Sequence, residues 1–273
     1  MPCRILILLI GLVAIFTLRA STVKTVPDEC TSPLTLISTS DWYPYIYQRH
    51  QTTTGVDLEL LRLLLTEMGC KLKVIHVPER RVLFEMDASQ FDIGLGASVT
   101  PSRQQKFHYS APYRHENNMF AYSKDDGQLA DVTSLQQILD MNKIIAINLA
   151  GWYGEEIEQA KAVYDLFVYS ETAEVRLNML ALHRIDAVIN DKVVLCSWLS
   201  KLPHQSLILH PLLLSDASIH YIFNKQTISA QFVSKFNQVL AEFDHSGRLH
   251  RHFKTQLPDS CNDVSHQFDG PDH

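Results

Sequence analysis

The sequence predicts an α/β protein built as two mainly parallel-sheet lobes that face one cleft. Three observations lead there. Strand and helix patterns alternate along almost the whole chain, as βαβ units require. A helix, a strand opening with an acidic residue and a polar loop occur in that order twice, at Gln90-Phe91-Asp92-Ile93 and at Arg184-Ile185-Asp186-Ala187. Two extended segments, Phe120–Lys124 and Ile219–Lys225, bracket the second half as crossovers would.

Taken in order, Leu34–Ser38 is a β-prone run. Val56–Met68 is densely apolar with charges at Asp57, Glu59, Arg62 and Glu67, and Gly69 stands where a helix end favours a left-handed residue. Leu72–Val77 alternates as a strand, Arg81–Asp87 reads as a short helix, and Phe91–Ala97 as a buried strand. The rhythm continues with Ser134–Met141 (helix), Ile144–Leu149 (strand), Tyr153–Val163 (helix), Leu166–Tyr169 (strand), Ala173–His183 (helix), Ile185–Ile189 (strand) and Lys192–Leu199 (helix). Helices over Ser229–Phe243 and Leu249–Lys254 follow, separated by Gly247. The expected division is lobe 1 from 28–117 plus 222–262, lobe 2 from 118–221, and a polar tail at 263–273.

Residues 1–20 read as a secretory signal peptide. Ile5–Phe16 is apolar, follows Arg4 and leads to Ala20-Ser21. The run is shorter than the roughly 18 apolar residues of a membrane span. A periplasmic, soluble protein is therefore expected. Cys30, Cys70, Cys196 and Cys261 allow one or two disulfides there, with Cys30 bridging to Cys70 or to Cys261.

A net charge of −6 with scattered Lys and Arg excludes the basic surface that nucleic acid requires. No cysteine or histidine spacing fits a metal, and no fingerprint fits a cofactor: Gly94-Leu95-Gly96 lacks the third glycine of a dinucleotide turn. No G-x-S-x-G, H-E-x-x-H or P-loop is present, and His245, His250 and His252 read as a solvated helix face. The chain is expected not to be an enzyme, and to act as a monomer on a small molecule.

Thr100-Pro101-Ser102-Arg103 is the sharpest local feature. Thr100 and Pro101 start a helix at the mouth of a buried strand. Arg103 adds a planar fork for a carboxylate, or is an ordinary surface arginine on a capped helix. Asp191, ending the equivalent strand, either caps the next helix or faces the cleft and holds an ammonium group. Trp42, Tyr43 and Tyr45 follow the first strand and either offer an apolar wall or pack against the core, as at least one of the three is expected to. Gly151-Trp152-Tyr153-Gly154 places a further helix start at the cleft, where Glu155 and Glu156 complement the helix dipole.

The order of motifs resembles the family 3 extracellular solute-binding proteins, which include the polar amino-acid-binding proteins of bacterial ABC transporters. Trp42-Tyr43-Pro44-Tyr45, Gly55–Leu61, Phe91-Asp92-Ile93 before Thr100–Arg103, Phe107–Tyr113, Arg184–Asp191 and Asp244–Phe253 carry the resemblance. It implies a type II periplasmic-binding-protein fold with a two-segment hinge, Arg103 on a ligand α-carboxylate with help near Ser98 and Thr100, Asp191 on the α-amino group, and Trp42 on the side chain. It also implies a partner, an ABC permease or a membrane sensor. Two loops depart from the family pattern: Ala150–Tyr153, which puts one carboxylate contact in doubt, and Pro78-Glu79-Arg80-Arg81, whose charges either suit a polar or charged ligand end or are solvated. The same resemblance extends to secreted cyclohexadienyl dehydratases, for which Glu79, Glu155 or Glu156 would supply a general acid.

Overall fold

A computed structural model describes residues 26–257 apart from 39–40, 78–80, 82–90, 150, 171 and 203–205. The expected signal peptide, most of the Arg81–Asp87 helix, Glu79, Cys261 and the polar tail lie outside the described residues.

The first lobe opens with β1 (Leu34–Ser38), a short antiparallel meander of β2 (Asp41–Trp42), β3 (Ile46–Arg49) and β4 (Thr52–Thr54), and then α1 (Val56–Glu67). Val56, Leu58, Leu60, Leu61, Leu64 and Leu65 bury one side of α1, as apolar residues at helical spacing do. Gly69 closes it at φ 78°, as its position predicts. β5 (Leu72–His76), β6 (Ile93–Ala97), α2 (Pro101–Lys106) and β7 (Phe107–Tyr109) follow. The chain then crosses on the ten-residue β8 (Arg114–Ser123).

The second lobe runs through α3 (Leu135–Asp140), β9 (Ile145–Ile147), α4 (Glu155–Val163), β10 (Phe167–Tyr169), α5 (Ala173–Ala181), β11 (Ala187–Asp191), α6 (Lys192–Leu199) and β12 (Leu207–Leu209). A second ten-residue strand, β13 (Ser215–Asn224), returns to α7 (Ala230–His245) and α8 (Arg248–Gln256).

The strand order is β10-β9-β11-β8-β13-β6-β1-β5. The outer pairs in each half are parallel: β5 and β6 beside β1, β10 and β11 beside β9. Between the halves, β8 and β13 lie antiparallel, with Arg114–Asn118 paired to Ile219–Ser215. Beyond that shared stretch β8 joins β11 while β13 joins β6 and β7. The fold is thus two mainly parallel-sheet lobes joined by two crossover segments.

Each lobe has its own apolar clusters, and that of the first also takes in Ala173, Val193 and Val194 from α5 and α6. In the first, α1, α7 and α8 cover the sheet with Leu36, Leu61, Phe236 and Phe253 at its centre. In the second, two apolar clusters lie on opposite faces of the sheet, one around Ile138, Ile147 and Ile189 and the other around Leu177, Val188 and Leu195. The disulfide joins Cys30 to Cys70, one of the two alternatives open for Cys30. Cys196 is disulfide-bonded as well.

The structure differs from the expectation at four points. The segment after β1 is a meander, not a loop. The crossover on β8 begins at Arg114, six residues before Phe120. β7 and β12 are additional short strands. On α8, His252 is half-buried and hydrogen-bonds the Val56 carbonyl through Nε2 (2.8 Å), so only His245 and His250 of that group are exposed.

Candidate ligand-binding site

The carboxyl ends of β1, β6, β9 and β11 converge where the two lobes meet, the position at which α/β sheets bind ligands. A cavity of about 180 Å³ lies there. Its apolar wall includes Ile37, Trp42, Ile46, Phe91, Leu95 and Ile222 from the first lobe, and Trp152 and Tyr153 from the second. Its polar groups are Ser38, Ser98, Arg103, Glu116, Asn118, Asn148 and Asn190.

Arg103 comes from α2. Thr100 is the N-cap, its Oγ1 accepting from the Arg103 amide (3.4 Å), and Pro101 occupies the first turn. The cap fixes the turn, and Arg103 Nη1 donates to the Ser98 carbonyl (3.2 Å), which aims the guanidinium into the cavity. Its remaining N–H groups have no hydrogen-bond partner among the described residues, so a planar fork is left for a carboxylate. Burial pushes Arg103 below the ordinary arginine value, with Tyr109, Glu116 and Glu158 acting against it. An arginine stays protonated nonetheless, so the cavity holds a partly desolvated cation.

Trp42 reaches the wall because Gly96 leaves room. A Cβ on Gly96 would lie 2.1 Å from Trp42 Cζ3, and the residue sits at φ 67°, where side chains are strained. Gly96→Ala should therefore displace the indole and cost about 1–3 kcal/mol, as overpacking does. Urea denaturation read by tryptophan fluorescence checks both effects at once.

Beneath the cavity lies a buried charge cluster. Arg114 Nε donates to both oxygens of Asp57 (3.2 and 3.1 Å) and Nη2 to Glu116 Oε1 (2.9 Å). Its guanidinium lies 3.6 Å from the Tyr45 ring centroid and 5.1 Å from that of Trp42. Tyr113 donates to Asp57 Oδ2 (2.5 Å). Burial raises Asp57, and Arg114 and Tyr113 pull it back. Burial pushes Glu116 up to about 7 against the attraction of Arg114, with Asp191 and Asp57 adding to the rise.

The structure separates the expected site residues into two groups. Arg103, Ser98, Trp42, Trp152 and Tyr153 line the cavity. Thr100, Tyr45 and Asp191 do not. Thr100 is spent on the cap. Tyr45 is wholly buried and donates to Asp191 Oδ2 (2.7 Å), tying the first lobe to the second. Asp191 is the cap of α6: Oδ2 accepts from the Val193 amide (3.1 Å) and Oδ1 from the Asn117 amide (3.0 Å). Of the two readings open for Asp191, this geometry is that of the cap. Glu79 lies outside the described residues, and Glu155 and Glu156 are exposed in the first turn of α4.

Sequence reasoning missed Glu116, Asn118, Asn148 and Asn190. Asn118 donates from Nδ2 to Ser215 Oγ (3.0 Å), across the two crossovers. Asn190 accepts the Asp191 amide on Oδ1 (2.8 Å), while its buried Nδ2 has no partner among the described residues. The sequence carries no signal for Glu116 and Asn118, because every residue from Arg114 to Asn118 is polar; the period-two pattern that marks one strand face appears only in the burial of Arg114, Glu116 and Asn118.

Among the described residues no helix is long and apolar enough to cross a membrane. The chain is 24% identical over 254 residues to the arginine-binding extracellular protein ArtP of Bacillus subtilis, covering 90% of this chain and 94% of that protein. It is 23% identical over 166 residues to the probable amino-acid-binding protein YxeM of the same organism, covering 60% of this chain and 61% of that relative's length. Among solved structures, the arginine-, lysine-, histidine-binding protein ArtJ of Geobacillus stearothermophilus superimposes with a TM-score of 0.70 at 20% identity, covering 86% of this chain and all of the other. Residues 34–257 match the family described as bacterial extracellular solute-binding proteins, family 3, and the chain belongs to that family.

Proposed function

We propose that this protein is a periplasmic, monomeric binding protein that captures a small amino acid between its lobes and presents it to an ABC permease. One observation carries the reading: Arg103, bonded only through Nη1 to the Ser98 carbonyl among the described residues, turns the rest of its guanidinium to an interlobe cavity whose other lining is mostly apolar and aromatic. At about 180 Å³ the cavity is smaller than the roughly 300–1,000 Å³ of drug-sized pockets, which favours a small solute over a peptide. The names of ArtP, YxeM and ArtJ point the same way. Ligand contacts from both lobes would favour a closed arrangement about the paired crossovers, the shape a permease reads.

A thermal-shift screen of refolded, ligand-free mature protein against the twenty L-amino acids, small dicarboxylates and prephenate tests this. A ligand at about a hundred times its dissociation constant stabilises by about 2.7 kcal/mol. At least one amino acid is expected to raise Tm, with no turnover of prephenate. A response to dicarboxylates or prephenate alone would overturn the amino-acid reading.

A further inference from the structure

We propose that Glu116, on the crossover strand β8, is the cavity's receptor for the ligand's ammonium group, in place of Asp191. The proposal rests on the amino-acid reading above and deepens it. It names the ligand as a zwitterion held between Arg103 at one end and Glu116 at the other.

The geometry of the two carboxylates separates them. Asp191 does not line the cavity, and its oxygens accept from the Tyr45 hydroxyl and the amides of Asn117 and Val193. Glu116 lines the cavity and is bonded through one oxygen only, Oε1, to Arg114; Oε2 has no hydrogen-bond partner among the described residues.

Charge balance favours a cation at that oxygen. Arg114 is one guanidinium facing three buried carboxylates: Asp57 from α1, Glu116 from its own strand and Asp191 from β11. Its Nε is bonded to both Asp57 oxygens and its Nη2 to Glu116 Oε1, and none of these bonds reaches Glu116 Oε2. With all three acids ionised the cluster carries surplus negative charge, and Glu116 is its only acid on the cavity wall. An ammonium group there would supply the missing charge and donate to Oε2. A buried charge left unpaired is strongly unfavourable, which is why burial holds Glu116 protonated up to about 7 in the free protein.

A second observation points to a ligand at the same place. Asn190 lines the cavity, and its buried Nδ2 has no acceptor among the described residues. Buried donors in native proteins are almost always satisfied. A ligand carboxylate or amide oxygen beside the ammonium group would accept from it.

The sign of the pH dependence follows. Ligand ammonium favours ionised Glu116, so below about pH 7 binding must expel a proton and the affinity falls. Above it no proton moves. The other charged groups facing Glu116 are Arg114, Asp57, Asp191 and, across the cavity, Arg103; both arginines stay protonated throughout this range.

The experiment uses the full mature chain and calorimetry with the L-amino acid that gives the largest thermal shift, beside its des-amino carboxylic acid. At pH 6 the wild type should release up to one proton, read from the binding enthalpy in two buffers of different ionisation enthalpy. At pH 8.5 it should release almost none. Glu116→Gln should weaken the amino acid by about 30-fold or more at pH 8, abolish the proton release, and erase the preference over the des-amino acid. Arg103 is intact in this variant, so residual binding of the des-amino acid reports folding. Wild-type affinity in Glu116→Gln, or no proton release by the wild type at pH 6, overturns the proposal while leaving amino-acid binding in place. If no amino acid shifts the wild type, the reading beneath it fails and the proposal fails with it.

Discussion

Replacing Arg103 with alanine is expected to weaken ligand binding by two to three orders of magnitude and to leave the fold as stable as before, or slightly more so. The guanidinium is the cation that lines the cavity, and it points its unpartnered N–H groups inward. Losing one partner of a desolvated charged pair costs about 2–5 kcal/mol of binding, largely because the other charge is left unmatched. In the free protein the balance is different. Burial already works against the Arg103 charge, and its one side-chain hydrogen bond is to the Ser98 carbonyl. Alanine relieves that cost, a trade between activity and stability common at binding sites. Arg103→Lys should restore little, since a point charge does not reproduce two parallel hydrogen bonds. Calorimetric titration and urea denaturation of the same three proteins check both halves; a large loss of stability in Arg103→Ala would mean the residue is structural.

Replacing Asp57 with alanine should have the opposite profile, a loss of about 3–5 kcal/mol of stability. Asp57 is completely buried and receives Arg114 Nε on both oxygens and the Tyr113 hydroxyl on one. Removing it leaves the Arg114 guanidinium deep in the protein with one bonded carboxylate, Glu116, and its Nη1 already unpartnered. Asp57→Asn keeps an acceptor but loses the charge and should fall between. Because Glu116 would then be the one carboxylate of the cluster hydrogen-bonded to Arg114, ligand affinity should fall as well, by less than in Glu116→Gln. Chemical denaturation gives the first effect and calorimetry the second.

The two residues were unequally legible in the sequence. Arg103 was readable because local rules placed it: a Thr-Pro helix start directly after a buried strand fixes where the third helical residue lies. Asp57 sat in an apolar helix pattern as an ordinary first-turn acid, and nothing local says that an arginine 57 residues later is buried against it. Glu116 was illegible for a related reason. Arg-His-Glu-Asn-Asn reads as a solvated loop, because the rule that polar residues face water fails where a strand runs between two lobes and turns its polar face toward a cavity. The same failure put the first crossover six residues late. The meander at 41–54 was missed because its turn carries no glycine: His50 and Gln51 adopt φ 49° and 65° themselves. The alternating βαβ pattern was readable throughout, since central strands such as β9 and β11 are buried on both faces, β1 alternates and each helix buries one side, and periodicity records burial.

The pairing of β8 with β13 also bears on the order in which the chain can fold. The second lobe is one continuous stretch whose ends are adjacent strands, with Asn118 opposite Ser215. The first lobe joins distant segments: Ser229 bonds Glu29 across 200 positions and Arg248 bonds Glu67 across 181. Contacts that close long loops form late, after the loop entropy has been offset. A folded second lobe brings Asn118 and Ser215 together and so shortens the effective loop of the first to a hairpin. Nascent chain leaving a ribosome or a translocon would complete its middle before its beginning, and the first lobe would stay open until the last helix had emerged.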